Sequence, residues 1–231
     1  MGKVGIIGAM DVEVDQLKGF LSDAKVSRRA HMDFVSGALN GRDVVVVKSG
    51  VGKVNAGICA QILCELGCEA ILFTGVAGSL DPKVAVLDLV ISTECVYFDV
   101  DARNFGYVFG EIPQMGIASF PADPILREMA VKAAGELGKG HSIFTGKVAS
   151  GDRFVCSSED KAKIHELTGA LCCEMEGAAV AQACYLNAVP YVVVRAISDT
   201  ADGSSPLAYP LFEKRAAKLC AQIIHYMLMR L

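Results

Sequence analysis

Four stretches of this chain set acids just past an apolar strand or at a helix start, where a charge needs a partner or a task. In VVVRAISDTADG, residues 192–203, Val192, Val193 and Val194 read as a buried strand. Arg195 interrupts it, and Ser198 and Asp199 stand where it emerges. Ligands of open α/β sheets bind at that end of a strand. Apolar surroundings there disfavour a charged carboxylate. In GAMDVEV (8–14) a strand ends at Gly8 and a helix begins near Asp11, so Met10 and Glu13 share a face of its first turn. Acids in a first turn also simply complement the helix dipole. In CCEMEGAA (172–179), Glu174 and Glu176 point to one side and Met175 to the other if the backbone is extended, and they diverge if helix has begun. In SGDRFV (150–155), Phe154 can stack on a flat ring, and the backbone of Val155 offers a donor and an acceptor. TGVAGS (74–79) also follows a strand, with glycines that let a ligand approach the backbone. It is neither GxGxxG nor a Walker loop, so a dinucleotide or nucleoside triphosphate site is unsupported.

The elements that must position these residues follow from periodicity. Runs at 3–8, 43–48, 70–75, 86–92 and 191–197 are short, rich in Val and Ile, and closed by Gly or polar residues, which predicts buried strands. The stretch 141–151 is another strand with polar insertions, and Asn40-Gly41 predicts a tight hairpin between two strands. Helices are expected over 52–67, where Val54, Ile58, Ile62 and Leu66 recur every fourth residue with Leu63 on the same side, and over 177–187. Asp123-Pro124 predicts a cap and first turn for a helix over 123–138. Near the C-terminus Leu211, Phe212, Leu219, Cys220, Ile223, Ile224, Met227 and Leu228 form one apolar stripe. Strands alternating with helices predict one α/β domain, 1–231, with a central mixed sheet covered by helices on both faces. Residues 97–120 are aromatic, glycine-rich and weakly periodic, as expected of a binding or contact loop.

Composition narrows the function classes. The 231 residues are 52% hydrophobic with a formal net charge of -4, so a large core is expected and no basic excess points to nucleic acid or an anionic membrane. No apolar run reaches the ~20 residues of a membrane span. The opening MGKVGIIGAM breaks at Asp11 and reads as a first strand rather than a signal peptide. Nine cysteines occur without a Cys-x-x-Cys pair and without a histidine at zinc-ligand spacing. Reduced, mostly buried thiols in a cytoplasmic protein without a metal are the expectation.

The motifs IIGAMDVEV, KSGVGKVNA, TGVAGSL, SGDRFV, CCEMEGAAVA and VVVRAISDTAD occur in an order that resembles the 5'-methylthioadenosine/S-adenosylhomocysteine nucleosidase family of the purine nucleoside phosphorylase superfamily. The resemblance runs from Val4 to about Tyr209 and through the terminal helix. It implies a nucleoside phosphorylase-like α/β fold, a homodimer, no cofactor, and hydrolysis of the bond between adenine and a 5'-substituted ribose. By motif, Asp199 would protonate adenine N7 and Glu13 would activate water. Glu176 would hold the ribose hydroxyls, with Glu174 and Met175 beside it. Phe154 would stack on adenine while the Val155 backbone reads its edge. Ser198 and Arg195 would position the acid. Met10, Val51, Val76 and Tyr209 would line the remaining pocket. Phe105, Tyr107 and Pro113 match residues that the family contributes from the neighbouring subunit, and Ala102 stands where a larger apolar residue of that subunit is common.

The chain departs from the commoner pattern at Val76 and Ser79, where serine and glycine are frequent, at Arg153, and at Ala102. These departures bear on the 5' pocket and on preference among methylthioadenosine, adenosylhomocysteine, 5'-deoxyadenosine and aminodeoxyfutalosine. The main rival is a phosphate-dependent phosphorylase, which needs a cationic pocket where this chain has Met10 and Glu13. A non-catalytic nucleoside-binding protein is the alternative from another class.

Overall fold

The computed structural model describes residues 2–137 and 140–230. Strand β1 (Val4–Gly8) is buried along its whole length between two parallel neighbours, β4 (Arg42–Lys48) and β5 (Ala70–Ser79). Burial on both faces is why these strands read as unbroken apolar runs. β3 (Met32–Leu39) pairs antiparallel with β4 through the Asn40-Gly41 turn, where both residues have positive φ, 54° and 78°. That is the backbone a two-residue hairpin of this hand requires. β2 (Ser22–Arg29) extends the sheet as an exposed edge. It carries no apolar alternation, so periodicity does not reveal it.

Beyond β5 the sheet turns mixed and closes on itself. β10 (Tyr191–Asp199) is parallel to β5 and antiparallel to β6 (Leu89–Tyr97). β6 is parallel to β8 (Ile143–Ser150), which is parallel to β9 (Cys172–Glu174), and β9 returns antiparallel to β5. The short β7 (Ser119–Pro121) pairs with β6. The expected strand at 86–92 begins later because the Asp88 carboxylate ties a turn, accepting the N–H groups of Ala85 and Ser142 at 2.9 and 2.8 Å.

Helices cover both faces, as expected. α1 (Asp11–Gly19), α3 (Pro124–Leu137) and α6 (Ser205–Leu228) share one apolar core, and α2 (Lys53–Glu65) and α5 (Gly177–Asn187) share the other. α4 (Ser158–Thr168), too weakly amphipathic to be foreseen, covers β8. Asp123 caps α3 through the N–H groups of Ile125 and Leu126, and the expected helix end at Gly138 lies outside the described residues. α2 departs most from expectation. It buries Ala56, Cys59, Ala60 and Leu63, while Val54 is 72% and Ile58 42% exposed. Small residues let α2 sit close on the alanine-rich α5, so the first half of the aliphatic repeat faces outward, while Leu63 is buried and Ile62 and Leu66 pack against the core. In α6, Leu211 also lies outside the buried stripe, 74% exposed. Residues 97–120 are irregular apart from a short 3-10 turn (Arg103–Phe105) and the start of β7. Among the described residues, no helix is long and apolar enough to cross a membrane.

Candidate active site

The acids converge because their strands end together. Met10 is the N-cap of α1, and Glu13 turns back over the end of β1. One Glu13 oxygen accepts the N–H groups of Ala9 and Met10 at 2.6 and 3.0 Å, and the other accepts Val76 N–H from β5 at 3.0 Å. Three backbone donors therefore fix a carboxylate that is 2% exposed. Burial raises its pKa, against the opposing pull of Arg195 and these donors. Glu13 thus serves as helix cap and as an inward-facing acid at once.

Arg195 rises from the middle of β10 into the same layer. It pairs with Glu174, its guanidinium lies 4.0 Å from the centre of the Phe73 ring, and Nε finds no hydrogen-bond partner among the described residues. A Cβ on Gly75 would meet Arg195 Nη1 at 2.1 Å and Glu13 Oε1 at 2.5 Å, so this strand position admits only glycine. The sequence reading gave Arg195 to the Asp199 acid. The structure gives it to Glu174 and Glu13: residues 195 and 199 would share a face of a regular strand, and the register shift between Ile197 and Asp199 re-aims Asp199.

Glu174 closes β9. It accepts the Ser150 hydroxyl, Arg195, and the Gly177 N–H at 2.9 and 2.8 Å from its two oxygens. It is taken up by tying α5 to the sheet. Glu176 is the N-cap of α5 and one Oε accepts Gly52 N–H at 2.7 Å. Its pKa is pushed up to about 8, first by burial and then by the charge of Glu174. The backbone bends between β9 and α5, so both carboxylates are buried while Met175 also reaches the cavity.

Asp199 ends β10 at the register shift, and such irregularities re-aim strand side chains. Here they bring the consecutive residues Ser198 and Asp199 to one cavity. Asp199 is 2% exposed, and its oxygens accept Ser198 Oγ–H and Ala201 N–H, each at 2.9 Å. Burial is as expected, but it comes with two donors that the strand pattern did not disclose.

These residues enclose a cavity of about 270 Å³ lined by Met10, Glu13, Val51, Val76, Phe154, Glu174, Met175, Glu176, Ser198, Asp199 and Tyr209. Val155 lines a small adjoining recess beside Asp199 and Phe154. The Phe154 and Tyr209 rings meet edge-on, 5.8 Å between centres, and the Tyr209 hydroxyl lies 3.3 Å from the Met10 sulfur. Among the described residues, no lysine or arginine lines the cavity. Ala102, Phe105, Tyr107 and Pro113 lie outside it, and Phe105 is 79% exposed. The sequence reading missed Ser150, whose hydroxyl bonds Glu174 and also accepts Ala178 N–H at 2.7 Å, and it missed Cys173 in the wall. No spacing signal marks either. Ala77 and Gly78 fall within the TGVAGS stretch, which pointed to ligand approach.

A slot with an aromatic lid, buried acids and no lining cation can protonate a leaving group, take a proton from water, and favour a positive centre between them. The sequence matches the phosphorylase superfamily over residues 3–228, and the chain belongs to that superfamily. A 5'-methylthioadenosine/S-adenosylhomocysteine nucleosidase from Halalkalibacterium halodurans is 41% identical over 229 residues, covering 97% of this chain and 96% of the relative. The Neisseria meningitidis nucleosidase of the same description, solved with methylthio-immucillin-A, superposes with a TM-score of 0.96 at 36% identity over 100% of both chains. The Colwellia psychrerythraea enzyme, solved with adenine, gives 0.94 at 39% identity over 98% of this chain and 94% of its own. Within the superfamily, the chain belongs to the 5'-methylthioadenosine/S-adenosylhomocysteine nucleosidases.

Proposed function

We propose that this chain hydrolyses the N-glycosidic bond of 5'-methylthioadenosine and S-adenosylhomocysteine, releasing adenine. The observation that carries the reading is the grouping of Glu13, Glu176 and Asp199 around one slot with Phe154 at its mouth. Adenine leaves poorly as an anion, so Asp199 gives a proton to N7 while Phe154 stacks on the ring and Val155 meets its edge. As the C–N bond breaks, the sugar becomes cationic. Glu176 holds its hydroxyls and Met175 packs against it. Water adds at the anomeric carbon, and Glu13, already fixed by three N–H groups, takes its proton. Met10, Val51, Val76 and Tyr209 accommodate the 5'-alkylthio group. General acid catalysis of this kind contributes about 10²–10⁴-fold.

A phosphorylase would need a cation for phosphate. Arg195 is buried against Glu174 and Glu13 instead, and Arg153, at the adjoining recess, pairs with Asp160. Adenine release in phosphate-free buffer tests the hydrolytic reading; a strict requirement for phosphate would overturn it. Comparing kcat/KM for the four 5' variants named above defines the substrate range.

The same reading makes the protein a cytoplasmic homodimer of one domain, 1–231. One continuous sheet supports the domain assignment. Val54, with Leu186 at 66% exposure, lines a groove of about 560 Å³, Ile58 is exposed on the same helix, and the exposed Phe105 and Val108 lie on the irregular stretch that gives the groove Ile112. A second copy covering that groove accounts for aliphatic side chains facing outward, and it brings Ala102, Phe105, Tyr107 and Pro113 to the partner's 5' pocket.

A further inference from the structure

We propose that Asp152, steadied by Asp99 and Lys53, is a positioning residue that sets the Glu176 carboxylate through the Gly52 turn. The inference rests on the reading of Glu176 as the group that holds the ribose hydroxyls.

Helix α2 starts at Lys53, and its N-cap, Gly52, has no side chain with which to cap it. The cap comes from 99 positions away: Asp152 Oδ1 accepts Lys53 N–H at 2.8 Å. Asp152 is itself held, donating its own N–H to Asp99 Oδ2 at 2.9 Å. Lys53 Nζ donates to the same Asp99 oxygen at 2.7 Å and lies 3.9 Å from Asp152 Oδ2. Three segments, the ends of β6 and β8 and the start of α2, are thereby locked around Gly52. Gly52 takes φ +100°, and a Cβ there would stand 3.2 Å from Asp152 Oδ1, so the turn is shaped to this carboxylate.

The product of that lock is one N–H vector. Gly52 N–H, at 2.7 Å, is the hydrogen-bond donor that the described residues give the Glu176 side chain. Glu176 is buried and repelled by Glu174, so a change in that donor acts directly on where its charge and lone pairs point. Two routes lead from Asp152 to the ligand. One runs through Gly52 to Glu176, and the other through the chain to Phe154, two residues on. The first is a hydrogen-bonded path of 2.8 and 2.7 Å contacts, whereas Phe154 is 44% exposed and holds its place by ring contact with Tyr209. The geometry therefore favours an effect on the sugar.

The test compares adenine release from 5'-methylthioadenosine and from its 2'-deoxy and 3'-deoxy counterparts, for wild type, Asp152→Ala, Asp152→Asn and Glu176→Gln. Asp152→Ala is expected to lose about 10-fold or more in kcat/KM on the full substrate, the scale of a misplaced catalytic group. That loss should shrink several-fold on a substrate lacking the hydroxyl that Glu176 holds. Asp152→Asn should recover most of the activity, because its amide oxygen still accepts Lys53 N–H. Equal losses on all three substrates, or no recovery by the asparagine, would overturn the proposal while leaving the Glu176 reading intact. If the Glu176→Gln loss is itself the same on all substrates, the Glu176 reading fails and the proposal with it. Molecular mass and melting temperature are measured for each variant. Should Asp152→Ala not fold, Asp99→Ala carries the same comparison, since it removes the acceptor beneath Asp152 N–H and keeps the carboxylate.

Discussion

Arg195→Met tests the electrostatic arrangement of the site most directly. The guanidinium is 1% exposed, pairs with Glu174, and opposes the rise in pKa that burial imposes on Glu13 and Glu176. Methionine keeps much of the volume and its contact with Phe73 but removes the charge. Three buried carboxylates would then face one another with only hydrogen bonds for compensation. Removing one partner of a buried pair costs about 3–5 kcal/mol, chiefly through the uncompensated charge left behind. For a chain of this length, each kcal/mol lowers Tm by about 2–4 °C, so the expected fall is roughly 6–20 °C. The loss should be smaller at pH 5.5 than at pH 8, because the orphaned carboxylates neutralise themselves by binding protons at the lower pH. The assay is thermal unfolding by circular dichroism at both pH values, with Arg195→Met/Glu174→Gln as the partner variant. Neutralising both members should recover a large part of the loss, since the two residues share one interaction. A single variant within a few degrees of wild type, or a double variant no more stable than the single, would refute the reasoning.

Asp199→Asn should keep its fold and lose about 10²-fold or more in turnover, and Glu13→Gln should bind a substrate analogue yet lose hydrolysis; near-normal adenine release by either removes its assigned role. The folded pKa of Glu176 lies above the unfolded value of 4.5, at about 8, so folding favours its protonated form. Its contribution to stability is complete below about pH 4.5 and is lost as pH rises through about 8, and Glu13 acts in the same direction. Glu176→Gln should therefore show a shallower fall of Tm across that window, and a slope equal to wild type would count against the assignment. Ile58→Glu places a charge on the exposed face of α2 and should give a monomer by sedimentation with an unchanged far-ultraviolet spectrum; a persisting dimer would place the interface elsewhere.

The sequence was informative where burial is two-sided and where a turn needs particular chemistry. β1 and β4 are legible as short Val- and Ile-rich runs, β10 as such a run interrupted by Arg195, and Asn40-Gly41 marks its hairpin, because only positive φ at both residues makes that turn. It misled on α2, where an aliphatic repeat suggests a core face. Leu63 is buried as that repeat implies, but the rest of the buried face is alanine and cysteine, Ala56, Cys59 and Ala60, and small size lets that side pack on α5. Of the site, the acids are legible through their position at strand and helix ends. Their partners are not. The pairing of Arg195 with Glu174, the Ser150 hydroxyl and the cap from Asp152 on Lys53 all join residues far apart in the chain, and no spacing rule relates them.

The placement of Arg195 also explains the choice of nucleophile. A phosphorylase must deliver an anion to the anomeric carbon, so a cation has to face the cavity. This fold has an arginine in the right layer but aims it away from the cavity, at Glu174, with Phe73 beneath it. Glu13 occupies the facing position, held by the N–H groups of Ala9, Met10 and Val76, donors that could otherwise serve an anionic ligand. The protein's own carboxylate thus fills the role of a bound anion. A second anion beside it would meet repulsion from the Glu13 carboxylate in a region of low dielectric, where like charges interact strongly. Water meets no such barrier and finds in Glu13 a fixed acceptor for its proton. Hydrolysis is therefore selected by the same contacts that hold α1 against the sheet.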